Sequence, residues 1–185
     1  MLPPRFPLSL RAQRILLAIV LFSLLVSAGQ VNRTIDDTYG DLVTGLLPTY
    51  TSNWNPGQGC SGCAVQPSKS EAYAGTWHDT TSNNPNSTSG HYVTIQFTGT
   101  AIWMSCILVN NATTGITIFT NVSIELDSRE AGTYTHVPDP TAAQYVYNVT
   151  VFGQTGLSNN SHTLVMTAVQ GSQPSLLLFD RAIYT

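Results

Sequence analysis

The stretch His91-Tyr-Val-Thr-Ile-Gln-Phe97, the triplet Thr98-Gly-Thr100 and the run Ala101-Ile-Trp-Met-Ser-Cys-Ile-Leu-Val109 together decide the fold. Val93, Ile95 and Phe97 alternate with Tyr92, Thr94 and Gln96. One face is therefore apolar and the other polar, the period-2 pattern of a half-buried strand. Thr98-Gly-Thr100 reads as a turn, after which Ile102, Met104, Cys106 and Leu108 share a face. Ala101, Trp103 and Ile107 make the opposite face apolar too, which predicts a central strand covered on both sides.

The same alternation extends outward. In 116–126, Ile116, Ile118, Val122, Ile124 and Leu126 hold even positions, while Thr117, Asn121, Ser123 and Glu125 hold odd ones. Further strands are predicted at 144–152, 162–170 and 176–184, separated by turns at Asn110-Asn111, Pro138-Asp-Pro140, 153–160 and 171–174. Residues 48–70 and 79–90 are rich in Pro, Gly, Asn and Ser and read as long surface loops. No segment after residue 29 carries a long 3.6-residue apolar period, and no repeat of a propeller or solenoid is visible. The expected architecture is all-β: a single antiparallel β-sandwich or jelly roll over 29–185.

Upstream, Arg5, Arg11 and Arg14 precede an apolar run, 15–26, that contains one polar residue, Ser23, and then Ser27-Ala28-Gly29. Basic, apolar and small residues in that order mark a secretory signal peptide, assigned to 1–28 and expected to be helical. The run is shorter than the ~20 residues a spanning helix needs, although an uncleaved signal anchor is the alternative. Composition agrees with export. Charged residues are 9% of the 185, against ~25% in an average soluble protein. Without 1–28 the chain keeps four basic and ten acidic residues, a charge of −6. That balance excludes a nucleic-acid-binding stripe. N-x-[ST] sequons at Asn32, Asn86, Asn111, Asn121, Asn148 and Asn159 are candidate N-glycosylation sites.

Cys60-Ser-Gly-Cys63 admits three chemistries. Zinc would need two more ligands, and His78, His91, His136 and His162 show no paired spacing. A redox centre would need a βαβ context. A short disulfide formed in an oxidising compartment is the reading we favour, with Cys106 a buried free thiol on its strand. No nucleophile elbow, zinc-protease helix, phosphate loop or dinucleotide fingerprint occurs. Glu125 and Asp127 could share a strand face as a carboxylate pair, but read more simply as an exposed polar edge. Asp36, Asp37 and Asp41 could offer oxygens to calcium, yet paired aspartates in turns cap backbone amides, so no metal or cofactor is expected.

The richest cluster is Tyr73-Ala-Gly-Thr-Trp-His-Asp79. Two aromatics, an imidazole and a carboxylate suit a sugar site, where a ring stacks on the pyranose and polar groups take its hydroxyls. Tyr73, Trp77, His78, Asp79 and Trp54 are the candidate ligand-binding residues, with Trp103 a possible addition. The competing reading makes Trp77 and Tyr73 core residues and Asp79 the start of a turn.

Several stretches carry a family likeness: Ile35-Asp-Asp-Thr-Tyr-Gly40, Trp54, the Cys60/Cys63 pair, Gly75-Thr-Trp-His-Asp79, Ile95-x-Phe-x-Gly-Thr-Ala-Ile102 and Leu178-Phe-Asp-x-Ala-Ile-Tyr184. Over 31–185 the chain resembles a group of uncharacterised fungal extracellular and cell-surface proteins with a galactose-binding-like β-sandwich. The resemblance implies that fold and a surface location, and supplies no catalytic residue and no ligand. Many such proteins continue into a stalk and a membrane-spanning helix, whereas this sequence stops within a predicted strand. The expected function is a non-catalytic extracellular module that binds a ligand, with carbohydrate or cell-wall polysaccharide as partner. The alternatives are a structural or adhesive ectodomain and, third, a glycan-active hydrolase. Nucleic acid is not an expected partner, and membrane is one only through an uncleaved signal or a further C-terminal helix.

Overall fold

A computed structural model of the chain describes residues 29, 31–83 and 90–185. The signal-peptide reading of 1–28 and the sequon at Asn86 lie outside these residues. Residues 32–185 form a compact unit of their own. Ten strands follow in order: β1 (Arg33–Asp36), β2 (Gly40–Asp41), β3 (Thr49–Tyr50), β4 (Asn55–Pro56), β5 (His78–Ser82), β6 (His91–Val109), β7 (Thr120–Leu126), β8 (Arg129–His136), β9 (Tyr145–Ala168) and β10 (Ser175–Tyr184). The only helical pieces among the described residues are two 3-10 turns, Gly57–Gly59 and Tyr73–Gly75. Every strand pairing is antiparallel.

β6 and β9 run through both layers of the sandwich. The first part of β6 pairs with 160–168 of β9, which pairs with β7, and β7 with β8. The second part pairs with 145–155 of β9 and with β10, which continues to β1 and β5. The expected turns at 98–100 and 153–160 are corrected here, because neither strand stops there. The ladder jumps from Gly99↔Asn160 to Ala101↔Thr155, so four residues of β9 bulge out and the pair bends without reversing. Gly99 is needed at this corner, since a Cβ there would lie 2.3 Å from the Thr185 carbonyl oxygen. The bulge shifts the strand's parity. Val93, Ile95 and Phe97 face the core before it, and Ile102, Met104 and Cys106 after it.

Between the layers these side chains meet Ile35, Val122, Ile124, Leu164, Met166, Leu177 and Phe179. A second cluster covers the outer face of β10 and β6, joining Leu176, Leu178, Ile107 and Val109 to Val65, Ala72 and Trp77 from the 57–77 connection. β10 is thus buried on both faces, and Phe179 is fully enclosed. Among the described residues both clusters draw on Ile35 and later positions.

Three other boundaries differ from expectation. Residues 79–82, expected as loop, belong to β5 (His78–Ser82) against β10, with Leu178 opposite Asp79. Its polar sequence hides the strand, because the backbone ladder and buried hydroxyls secure it: Ser82 donates to the Ala168 carbonyl at 2.7 Å. Regular strand in 116–126 begins only at Thr120, while Ile116 and Ile118 pack on the second cluster from a loop. Residues 129–136 form an extra strand, β8, reached through a two-residue hairpin in which Asp127 (φ 53°) and Ser128 (φ 62°) are both left-handed. Positive φ at both central positions is the hairpin geometry that matches strand twist, and Asp tolerates it.

Candidate functional site

The five residues expected to form a sugar platform do not come together as one. Trp77 is 2% exposed and lies in the second apolar cluster. Gly57 packs against its indole so closely that a Cβ there would sit 1.9 Å from Nε1. This corrects the platform expectation: a ring sealed on both sides offers no face to a sugar. Asp79 is also buried, and its Oδ1 accepts a 3.3 Å hydrogen bond from Asn55 while Oδ2 has no partner. Burial pushes its pKa up, against the pull of Asn55 and His78. Trp54 is half-buried against Tyr50, with ring centroids 5.0 Å apart, and packs toward the core.

His78 is held from two sides. Its Nδ1 lies 2.6 Å from Asp37 Oδ2, and its ring stacks on Tyr50 at 4.3 Å. Tyr73 alone keeps an open ring, 37% exposed, with the Arg181 guanidinium 4.6 Å from its centroid. Arg181 Nη2 donates to Asn148 Oδ1 at 2.7 Å. The polar cluster therefore divides into a sealed part (Trp77, Asp79), a braced part (His78, Trp54) and one exposed ring.

The N-terminal aspartates cap backbone and hydroxyl groups. Asp36 Oδ1 accepts the amides of Thr38 and Tyr39. Asp37 accepts the hydroxyls of Thr76 at 2.6 Å and Thr38 at 2.8 Å. Asp41 accepts the Val43 amide and the hydroxyls of Thr44 and Tyr184, which hold its pKa low in spite of burial. Among the described residues no group of three or more ligating side chains is disposed to hold a metal. Glu125 and Asp127 do not form a pair in one site, because each lines a different hollow. Asp127, at the hairpin tip, binds His162 Nδ1 at 2.7 Å, and that contact lowers its pKa.

The larger hollow is a groove of about 960 Å³ across the solvent face of the first layer. It exists because β6, β7 and β9 each turn alternate residues away from the core. Tyr92 flanks core residue Val93, Ser123 and Glu125 flank Ile124, and Thr167 lies between Met166 and Ala168. Asn53 and Asn83 stand among its other walls. Tyr92 is 41% exposed, while its amide is fixed by a 3.0 Å hydrogen bond to Thr51 Oγ1. Gln170 also lines the groove, and its Oε1 is buried without a partner. Glu125 is the one carboxylate among its described lining residues. The sequence reading missed this site by counting Tyr92 as polar face; the available signal was a large aromatic at a solvent-facing position of an alternating strand. A second hollow of about 620 Å³ lies by the β7–β8 hairpin, between Leu126, Arg129, Glu130 and Leu157.

Away from these hollows, Cys60 and Cys63 form a disulfide, with Cα atoms 5.4 Å apart. The Gln66 side chain donates to both cysteine carbonyls. Cys106 is a buried free thiol. Of the described sequons, Asn32, Asn111, Asn148 and Asn159 are exposed. Asn121 is half-buried, its amide nitrogen bonded to the Val169 carbonyl at 3.1 Å. On the face of β7 turned away from the core, β8 and the 169 segment flank it.

The chain matches no protein-family model and no curated protein. Solved structures with a similar backbone include a family 35 carbohydrate binding module from Clostridium thermocellum, at 9% identity and TM-score 0.49 over 84% of this chain and 99% of that one. An exo-beta-1,3-galactanase from Phanerochaete chrysosporium is 15% identical, with TM-score 0.46 over 83% of this chain and 29% of that one. The Agl-KA catalytic domain is 12% identical, with TM-score 0.46 over 83% of this chain and 27% of that one.

Proposed function

We propose that the domain is a non-catalytic, extracellular carbohydrate-binding module and that the groove around Tyr92 holds the glycan. The observation that carries this reading is the lining itself. One exposed aromatic ring sits among hydroxyl, amide and carboxylate side chains in a space large enough for an oligosaccharide. Tyr92 would stack on a pyranose face. Glu125 and Thr167 would take hydroxyls. Glycoside hydrolysis by the usual route needs two carboxyls flanking the bond. A single carboxylate among the groove's described lining residues favours binding over cleavage.

The secreted, glycosylated setting is part of the same proposal. The Cys60–Cys63 bridge suits an oxidising compartment, and four exposed sequons are positioned to accept glycans. The test is a glycan array probed with residues 29–185 and with Tyr92→Ala. Selective binding by the native chain, reduced at least tenfold in the variant at unchanged unfolding midpoint, would support the proposal. No binding to any glycan, or equal binding by both proteins, would remove it and leave the structural or adhesive ectodomain.

A further inference from the structure

The loop following β2 exposes an aliphatic surface that the groove does not use. Residues 42–47 are all exposed, with Leu42 at 88%, Val43 at 66%, Leu46 at 43% and Leu47 at 60%. The loop is tied down at its root. The Asp41 amide donates to the Leu46 carbonyl and the Gly45 amide to the Asp41 carbonyl, at 2.9 and 2.7 Å. The Asp41 carboxylate gathers the Val43 amide and the Thr44 and Tyr184 hydroxyls. Gly40, at φ +66°, lets the Leu46 carbonyl cross where a Cβ would be. The conformation is thus built to hold the leucines out in water, a position with no folding benefit.

We propose that this knob inserts into the interfacial region of a lipid bilayer. Two features select lipid over protein. The four side chains expose on the order of 450 Å², well short of the ~800 Å² per partner that a stable pair of chains buries. The loop's outward side chains, 42–47, also include no charged group. Asp41 is the only charged residue between Asp37 and Lys69, and it is buried, while the Thr44 hydroxyl is spent on Asp41. A bilayer requires neither shape match nor polar partner. Tyr39, 56% exposed beside the loop, has the amphipathic ring that sits at headgroup level. Arg33 is held at the root of the knob beside the Tyr184 hydroxyl that bonds Asp41, and residues 29–185 carry a charge of −6, so attachment is apolar and prefers neutral lipid to anionic lipid.

The test uses residues 29–185, which hold both apolar clusters of the described residues and omit the apolar run 15–26. Co-sedimentation with phosphatidylcholine vesicles is compared for the native chain, for Leu42→Ser/Leu47→Ser and for a Leu42→Trp reporter. The expected result is partitioning that survives high salt, weakens when phosphatidylserine is added, and falls at least tenfold in the double variant at unchanged unfolding midpoint. The reporter's emission shifts to the blue on binding. Each leucine lost costs roughly tenfold or more in partition, so the signal is large. The proposal is overturned if the native chain does not partition or the double variant partitions equally. Binding only to anionic vesicles, reversed by salt, also overturns it. So does a concentration-dependent dimer that the double variant abolishes, since the knob would then seat a second copy.

Discussion

Replacing Asp180 by asparagine changes one buried charge at almost constant shape, and the consequence can be worked through. Asp180 is 1% exposed, and burial pushes its pKa up to about 7. The Tyr73 amide and Arg181 pull it down, the charges of Asp37 and Asp36 push it further up, and desolvation dominates. In the unfolded chain the group titrates near ~3.9. Between about pH 4 and 7 the folded protein therefore holds a proton that the unfolded chain has released. Its contribution to stability is complete below the unfolded pKa, falls as pH rises, and is gone above the folded pKa. Three units of displacement correspond to at most about 4 kcal/mol. Asparagine keeps the Oδ1 acceptor for the Tyr73 amide, 3.0 Å away, and has no proton to lose. Urea unfolding of both proteins at pH 4, 5.5, 7 and 8.5 cancels the remaining acids in the difference. The variant should gain on the native chain steadily from pH 4 to 7, by up to about 4 kcal/mol, and then level off. A difference independent of pH, or one that moves the other way, would show that Asp180 is not held protonated in the folded chain.

Trp77→Ala should cost about 3–5 kcal/mol, the range for emptying a buried aromatic site, yet leave glycan affinity at the native level where the variant is still folded; urea unfolding beside a binding isotherm reads both. Reducing the Cys60–Cys63 bridge should lower stability by only roughly 2 kcal/mol, because the closed ring is so short; unfolding midpoints with and without reductant measure it. Cys106 is fully enclosed, and burial with the nearby Asp180 raises its pKa well above the ordinary thiol range. It should resist a disulfide exchange reagent at pH 8 in the native state and react at once in denaturant, with absorbance following release.

The fold was legible wherever one strand face meets the core and the other meets water. Val93 to Phe97, and Val122 with Ile124, declare themselves through alternation alone. The doubly apolar run after Ala101 correctly announced a strand covered on both sides, because the 57–77 connection lies over it. Alternation failed where backbone pairing, and not side-chain burial, makes the strand. β5 is polar throughout and is held by its ladder to β10. Gly99 and 153–160 carry turn chemistry that serves a bend, which local sequence cannot tell from a reversal. The site was the least legible part. Trp77, His78 and Asp79 are neighbours in the chain, but alternation and the cover of Gly57 send them to separate environments. Tyr92, Glu125 and Gln170 are far apart in sequence and become neighbours only through the β6–β9–β7 pairing.

The most direct measurement is a titration of the ¹⁵N-labelled domain, residues 29–185, with an oligosaccharide that scores on the array. The largest amide shifts should fall on Tyr92, Ser123, Glu125, Thr167 and Gln170 and saturate together. Shifts centred on Tyr73, His78 and Arg181, with the Tyr92 groove silent, would contradict a glycan site there.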